Sequence, residues 1–161
     1  MILDYQAICK TWFPKGRQRI IPTYGKHHGA KLIGTLNYET GEIYVEEGDK
    51  YDAAVFLAFL KNIVVKYHGK IVIILDNARI HHAKLLHDFL EEHKSRLFLT
   101  FLPPYSPDLN MIEELWGWLK NSVINNVFFE TLAEIKTAVR GFIDWANLNP
   151  NIVIDRLCLQ Y

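Results

Sequence analysis

Two acidic residues stand where carboxylates could do chemistry. "VIILDNARIHHA" places Asp76 directly after an apolar run from Ile71 to Leu75. "LPPYSPDLNMIEELW" leads through Pro103, Pro104 and Pro107 to Glu113, inside a helix-forming run. In open α/β sheets, ligands gather at the carboxyl ends of strands. An oxygen donor there suits a hard cation. The plainer reading of Asp76-Asn77 is the start of a turn. Glu113 also has two readings. Around a helix face centred on Ile112, Leu115, Trp116, Leu119 and Val123 cluster, with Glu113 on the flank and Glu114 nearly opposite. Asn110 with Glu113 three residues later equally makes a capping box. Alone, each acid leaves both readings open; as a pair they favour chemistry. Two divalent ions about 3.5–4 Å apart, bridged by carboxylates, drive in-line attack on phosphodiesters. His81 and His82 are adjacent, so on a helix they point apart and cannot easily share one ion. They are expected to flank the site or lie on a helix surface, and without a third soft ligand zinc is not expected.

The elements that would position these residues follow from periodicity. "KLIGTLNYETGEIYVEE" reads as a hairpin turning at Glu39-Thr40-Gly41. "YDAAVFLAFLKNIVVKY" has apolar residues at helical spacing. "KIVIIL" and "RLFLTFL" are apolar runs that suggest strands buried on both faces. "HHAKLLHDFLEEH" between them reads as a helix. Two more helices are expected over residues 109–126 and 131–147, the second opened by a Thr131–Glu134 capping box. The order is that of one α/β domain with a mixed sheet. One helix and one strand separate the two acids, a crossover that brings the second acid's helix back toward the first acid's strand.

A chain of 161 residues, half of them hydrophobic, can bury a sizeable core. Eighteen basic residues balance eighteen acidic ones, so global charge gives no argument for nucleic-acid binding. The charge is segregated, however. No acid stands between Asp4 and Glu39, a window that holds Lys10, Lys15, Arg17, Arg19, Lys26 and Lys31, interleaved with Trp12, Phe13 and Tyr24. It reads either as a solvated loop or as a surface for DNA phosphates. Cys9 and Cys158 have no metal-ligand spacing and fit a reducing setting. No stretch reads as a signal peptide or a membrane span. Trp116 falls on the buried stripe, whereas Trp118 is expected to be more exposed and to mark an interface.

"LDNARIHHA" followed by "LPPYSPDLNMIEELWGWLK" resembles the second and third blocks of DDE transposases of the mariner-like superfamily, in the bacterial insertion-sequence branch. "TWFPKG" and "IIPTYGKHHGAKLIGTLNYETGE" resemble the segment upstream. The resemblance implies an RNase H-like mixed sheet flanked by helices. It implies DNA strand cleavage and transfer during transposition, using Mg²⁺ or Mn²⁺, with two ions expected. The catalytic and metal-binding residues it implies are Asp76 and Glu113, with Asn77, His82 and Asn110 in support. DNA contacts are expected from Lys15, Arg17, Arg19, Lys26 and Lys31. Transposon ends and target DNA are the implied partners, a homodimer the implied assembly, and the nucleoid in the cytoplasm the implied location. Met111 stands where the family pattern usually has proline.

The family's first catalytic Asp belongs on an opening strand. The only acid before Trp12 is Asp4, which stands too close to Trp12 to fill that place. The opening strand is therefore expected to be largely missing, the domain truncated at its N-terminus, and the helix-turn-helix arm absent. The alternative function is an inactive remnant that only binds DNA or self-associates.

Overall fold

The structure is a computed structural model and describes residues 2–3, 10, 12, 14–17, 20, 29–48, 50–103 and 110–157. Asp4, Arg19, Lys26, both cysteines and the proline stretch 104–109 lie outside the described residues. The chain forms two compact units, residues 1–47 with 112–161 and residues 48–111.

In the first unit, β1 (Ile2–Leu3), β2 (Gly29–Leu36) and β3 (Ile43–Gly48) form one sheet in that order. β1 is antiparallel to β2, with Ile2 opposite Ala30 and Leu3 opposite Gly29. The expected hairpin joins β2 to β3. Asn37 drives its turn, because Oδ1 accepts from the Glu39 and Thr40 amides at 3.0 and 3.2 Å. Gly41 closes the turn with φ +73°, and a Cβ there would stand 2.6 Å from the Pro150 carbonyl oxygen. Glycine is thus required for conformation and for space.

Three helices pack on this sheet: α3 (Met111–Leu119), α4 (Leu132–Leu148) and α5 (Pro150–Leu157). Leu115 and Leu119 meet Ile135, Val139, Phe142 and Ala146 from α4, Val153 and Leu157 from α5, and Ala30, Leu32 and Ile43 from the sheet. The α4 residues recur at helical spacing, as an amphipathic helix requires. Thr131 caps α4 by accepting from the Glu134 amide at 3.2 Å, while the Glu134 carboxylate reaches back to the Glu130 amide at 3.0 Å. Asn147 satisfies both backbone groups of Ile43, accepting from its amide at 2.8 Å and donating to its carbonyl at 2.9 Å. Glu47 on β3 pairs with Lys136 and Arg140 of α4 at 2.7 and 2.8 Å, and these cations hold its carboxyl below the usual range.

Two expectations change here. The helix expected over 109–126 stops being α-helical at Leu119 and widens into a π-turn over Lys120–Ile124, closed by the Asn125 amide on the Lys120 carbonyl at 2.7 Å. Trp118 is not an exposed marker. It packs edge-on against Phe142 and Trp145, with the Arg156 guanidinium over its ring at 4.9 Å. α5 was not foreseen, although Pro150 at its first position is a recognised start signal.

The second unit is built on α1 (Ala53–Lys66), β4 (Ile71–Leu75), α2 (His87–Glu92) and β5 (Leu97–Phe101). Asp52 caps α1, accepting from the Ala54 and Val55 amides, both at 3.0 Å. Its buried face is Phe56, Phe59, Leu60, Ile63 and Val64. β4 and β5 are parallel, from Ile71 opposite Leu97 to Leu75 opposite Phe101. The segment expected as one helix is instead two 3₁₀ turns, Arg79–His82 and Lys84–Leu86, before the short α2. Ala78 and Ala83 are extended, with ψ 141° and 138°, and break the helical path. β4 is not buried on both faces either. Val72 and Ile74 are 63% and 54% exposed, and Phe98 lies exposed beside them. An unbroken apolar run identifies a parallel strand, but does not say whether both covering layers are present.

Two predictions follow from these clamps. Glu47→Gln should cost about 1 kcal/mol or less at neutral pH, since its partners are partly or largely exposed. The Glu47 pKa is lower in the folded than in the unfolded chain, so its contribution is full above about pH 4.3 and fades as pH falls through the folded value. Denaturation midpoints of the two proteins should therefore converge in acid. In the second unit, the Asn77 amide donates to the Leu102 carbonyl at 2.8 Å, next to the Leu102 amide's bond to the Leu75 carbonyl at 2.8 Å. Asn77→Ala should speed hydrogen exchange at Leu102 roughly fivefold, the equivalent of one net hydrogen bond, and leave the amides of α1 unchanged.

Candidate functional site

Asp76 is the first residue past the β4 ladder and its side chain is 53% exposed. The backbone turns sharply at once, because Asp76 Oδ1 accepts from the Ala78 amide at 3.0 Å. A second contact reaches the same oxygen: His81 Nε2 lies 3.2 Å from Oδ1. Both hydrogen-bonding contacts of the carboxylate with described residues thus fall on Oδ1, and Oδ2 has none among them. Asn77 faces the other way and ties the end of β4 to the end of β5 through Leu102.

His81 is the one buried polar side chain among the described residues, at 7% exposure. Its ring meets Phe56 of α1 edge-on, with centroids 4.3 Å apart. Burial pushes the imidazole pKa down, and the neighbouring Asp76 carboxylate offsets part of that push. The ring is neutral at neutral pH. One nitrogen then carries the proton, and a carboxylate can only accept, so the proton is on Nε2. Nδ1 is buried and has no hydrogen-bond partner among the described residues. His82 does not touch Asp76. It is exposed and stacks on Phe101 at the end of β5, with centroids 4.4 Å apart. Burial and the charge of Asp76 both raise the Tyr51 phenol, which places that side chain near the same acid.

Asp76 and Asn77 stand just past the strand end as the sequence indicated, but the histidine against Asp76 is His81, whereas the family resemblance pointed to His82. The signal available was weak: His81 follows Asp76 by five residues, within reach if the chain doubles back in a tight turn.

Glu113 lies in the first turn of α3, and Glu114 beside it is also exposed. Glu113 makes no hydrogen bond or ion pair with a described residue. Asn110, immediately before α3, is partly buried. Lys15 and Arg17 are exposed on a turn closed by the Arg17 amide on the Pro14 carbonyl at 3.1 Å, with Gly16 at φ +82°. Trp12 is fully exposed. Lys31 on β2 is partly buried and has a partner. Among the described residues, no three His, Cys, Asp or Glu side chains cluster as a metal cage, and no helix is long and apolar enough to cross a membrane.

The chain is similar to known proteins in sequence and in fold. A curated relative, the "Insertion element IS630 uncharacterized 39 kDa protein" of Shigella sonnei, is 27% identical over 135 residues, covering 83% of this chain and 39% of that protein. The Mos1 transposase paired-end complex with left transposon end superposes with a TM-score of 0.63 at 17% identity, covering 93% of this chain and 48% of that one. The catalytic domain of Mos1 mariner transposase gives 0.55 at 17% identity, covering 86% and 74%. The chain thus spans less than half the length of the IS630 protein and of Mos1 transposase in the paired-end complex. The structural likeness shows the fold, a mixed α/β architecture of the RNase H-like kind. The family model for the DDE superfamily endonuclease matches residues 3–136, a span that includes both Asp76 and Glu113, and the chain belongs to that family.

Proposed function

We propose that this chain is a transposase catalytic domain that cleaves and rejoins DNA strands with divalent cations. The observation that carries the reading is Asp76, a half-exposed carboxylate at the end of a parallel strand whose hydrogen-bonding contacts with described residues fall on one oxygen. Such an oxygen donor fits Mg²⁺ or Mn²⁺, which bind through one or two carboxylates and keep waters and phosphate oxygens as their other ligands. Glu113 is a second carboxylate of the same kind, exposed and unpaired with any described residue. In this proposal Asp76 and Glu113 hold two ions. When bound, the ions supply Lewis-acid activation of the attacking hydroxyl and stabilisation of the leaving oxygen. The chain's own part is to fix the carboxylates. Asn77 secures the strand end beneath Asp76, Asn110 precedes the helix that carries Glu113, and His82 on Phe101 borders the same strand end.

The partners follow from the structural neighbours. They include Mos1 with a left transposon end, and a Mos1 mariner paired-end complex with Mn. We take transposon ends and target DNA as partners of this chain, acting as a homodimer. The exposure of Lys15 and Arg17, in the same segment as the exposed Trp12, supports a role for them in meeting phosphates.

With Mg²⁺ or Mn²⁺, the chain should nick DNA bearing its element's ends. Asp76→Asn and Glu113→Gln should each slow nicking on the order of 100-fold or more, as loss of several kcal/mol of transition-state stabilisation requires. Glu114→Gln should leave the rate near wild type. Equal rates in all variants sink the assignment. DNA binding without nicking, even in the wild type, favours the inactive-remnant reading. In a salt titration, Arg17→Glu should weaken DNA binding and reduce the slope of log K against log salt by about one. An unchanged slope removes Arg17 from the DNA surface.

A further inference from the structure

We infer that His81 is a positioning residue for the metal-binding carboxylate: its Nε2–H holds Asp76 Oδ1 so that Oδ2 is presented to the cation. This rests on the metal role proposed for Asp76. It is carried by the geometry of the pair, and by a buried ring nitrogen with no hydrogen-bond partner among the described residues.

A carboxylate at a strand end can rotate about its last bond and exchange its two oxygens. Here two donors converge on one oxygen, the Ala78 amide at 3.0 Å and His81 Nε2 at 3.2 Å. The amide comes from the turn itself and follows from the local backbone. The imidazole arrives from the far end of a 3₁₀ turn and is fixed by burial against Phe56. With Oδ1 so engaged, rotation would break two bonds, and Oδ2 keeps its lone pairs for an ion.

A purely structural histidine would use both ring nitrogens. In His81, Nδ1 is buried without a hydrogen-bond partner among the described residues. The other assignment, with the proton on Nδ1, would bury an orphan donor and set the Nε2 lone pair against a carboxylate. The site therefore keeps one ring nitrogen unsatisfied to aim the other at Asp76. The ring packs on Phe56, and the other buried side chains among the described residues are apolar, so burial alone does not call for an imidazole. Partners of metal-ligating groups typically change metal affinity 10- to 100-fold when removed.

The test measures Mn²⁺ affinity of the full chain by calorimetry, with thermal midpoints taken alongside. His81→Leu should weaken Mn²⁺ binding at least about tenfold with a midpoint at or above wild type. His81→Gln, whose side-chain amide can still donate to Oδ1, should restore most of the affinity. Ring ¹⁵N shifts of the wild type should report the Nε2–H tautomer. If Asp76→Asn abolishes binding while His81→Leu binds as wild type does, the positioning role is overturned and the metal role stands. If Asp76→Asn itself leaves Mn²⁺ affinity unchanged, the metal role falls and takes the positioning role with it. An Nδ1–H tautomer, or an affinity loss in His81→Leu that His81→Gln does not repair, also overturns the inference.

Discussion

The parallel ladder between β4 and β5 is the constraint on which the candidate site depends. Five residue pairs fix the direction of β4 up to Leu75, and the Leu102 amide extends the pairing by one bond. Asp76 is where pairing stops, so the last fixed peptide sets its position. The ladder is anchored at its other end as well. The Ile71 amide donates to the Arg96 carbonyl at 2.6 Å. The Arg96 guanidinium donates to the carbonyls of Val64, Tyr67 and Gly69 at the end of α1. One arginine thus joins the exit of α1 to the entry of both strands, and satisfies carbonyls that a helix end leaves open. The acid is held by a chain of backbone bonds whose far end is a helix terminus.

Within that frame, the polar residue His81 is an anomaly in its own unit. The other buried side chains of that unit, among them Phe56, Phe59, Leu60, Ile63, Leu86 and Phe89, are apolar. A buried polar atom without a partner costs on the order of 1–3 kcal/mol. Stability alone would place an apolar residue there. Sites that break a local rule in this way are where function is concentrated. The same asymmetry separates Asp76 from Glu47. Glu47 spends its carboxylate on two cations of its own unit, whereas among the described residues Asp76 meets the Ala78 amide and the His81 ring and no lysine or arginine.

Much of this was legible in the residues. The hairpin, the capped α4, the two apolar strands and the acid at the strand end each rest on local chemistry that acts over a few positions. Gly41, Thr131 and the Ile71–Leu75 run announce themselves. What was hidden depends on contacts distant in sequence or on layers outside a strand. Trp118 looked exposed by helical phase, but Phe142 and Arg156, beyond the end of its helix, cover it. Val72 and Ile74 looked buried by composition, yet one face of the ladder is open. The π-turn at 120–124 carries no residue that forbids an α-helix, so nothing in its sequence marks the widening.

The two adjacent pairs, Glu113-Glu114 and His81-His82, explain why phase arguments succeed in one place and fail in another. Around α3, a step of 100° per residue sends Leu115 and Leu119 inward, as found, because the segment is a regular helix with an apolar stripe. At 81–82 the same step has no meaning. The chain there is a four-residue 3₁₀ turn between two extended alanines, with about three residues per turn. The tighter turn swings His81 back under Asp76 and leaves His82 outside on Phe101. Which histidine serves the acid is therefore decided by Ala78 and Ala83, residues with no functional chemistry, whose extended backbones set where the turn begins and ends. A site can thus be specified by its least reactive members.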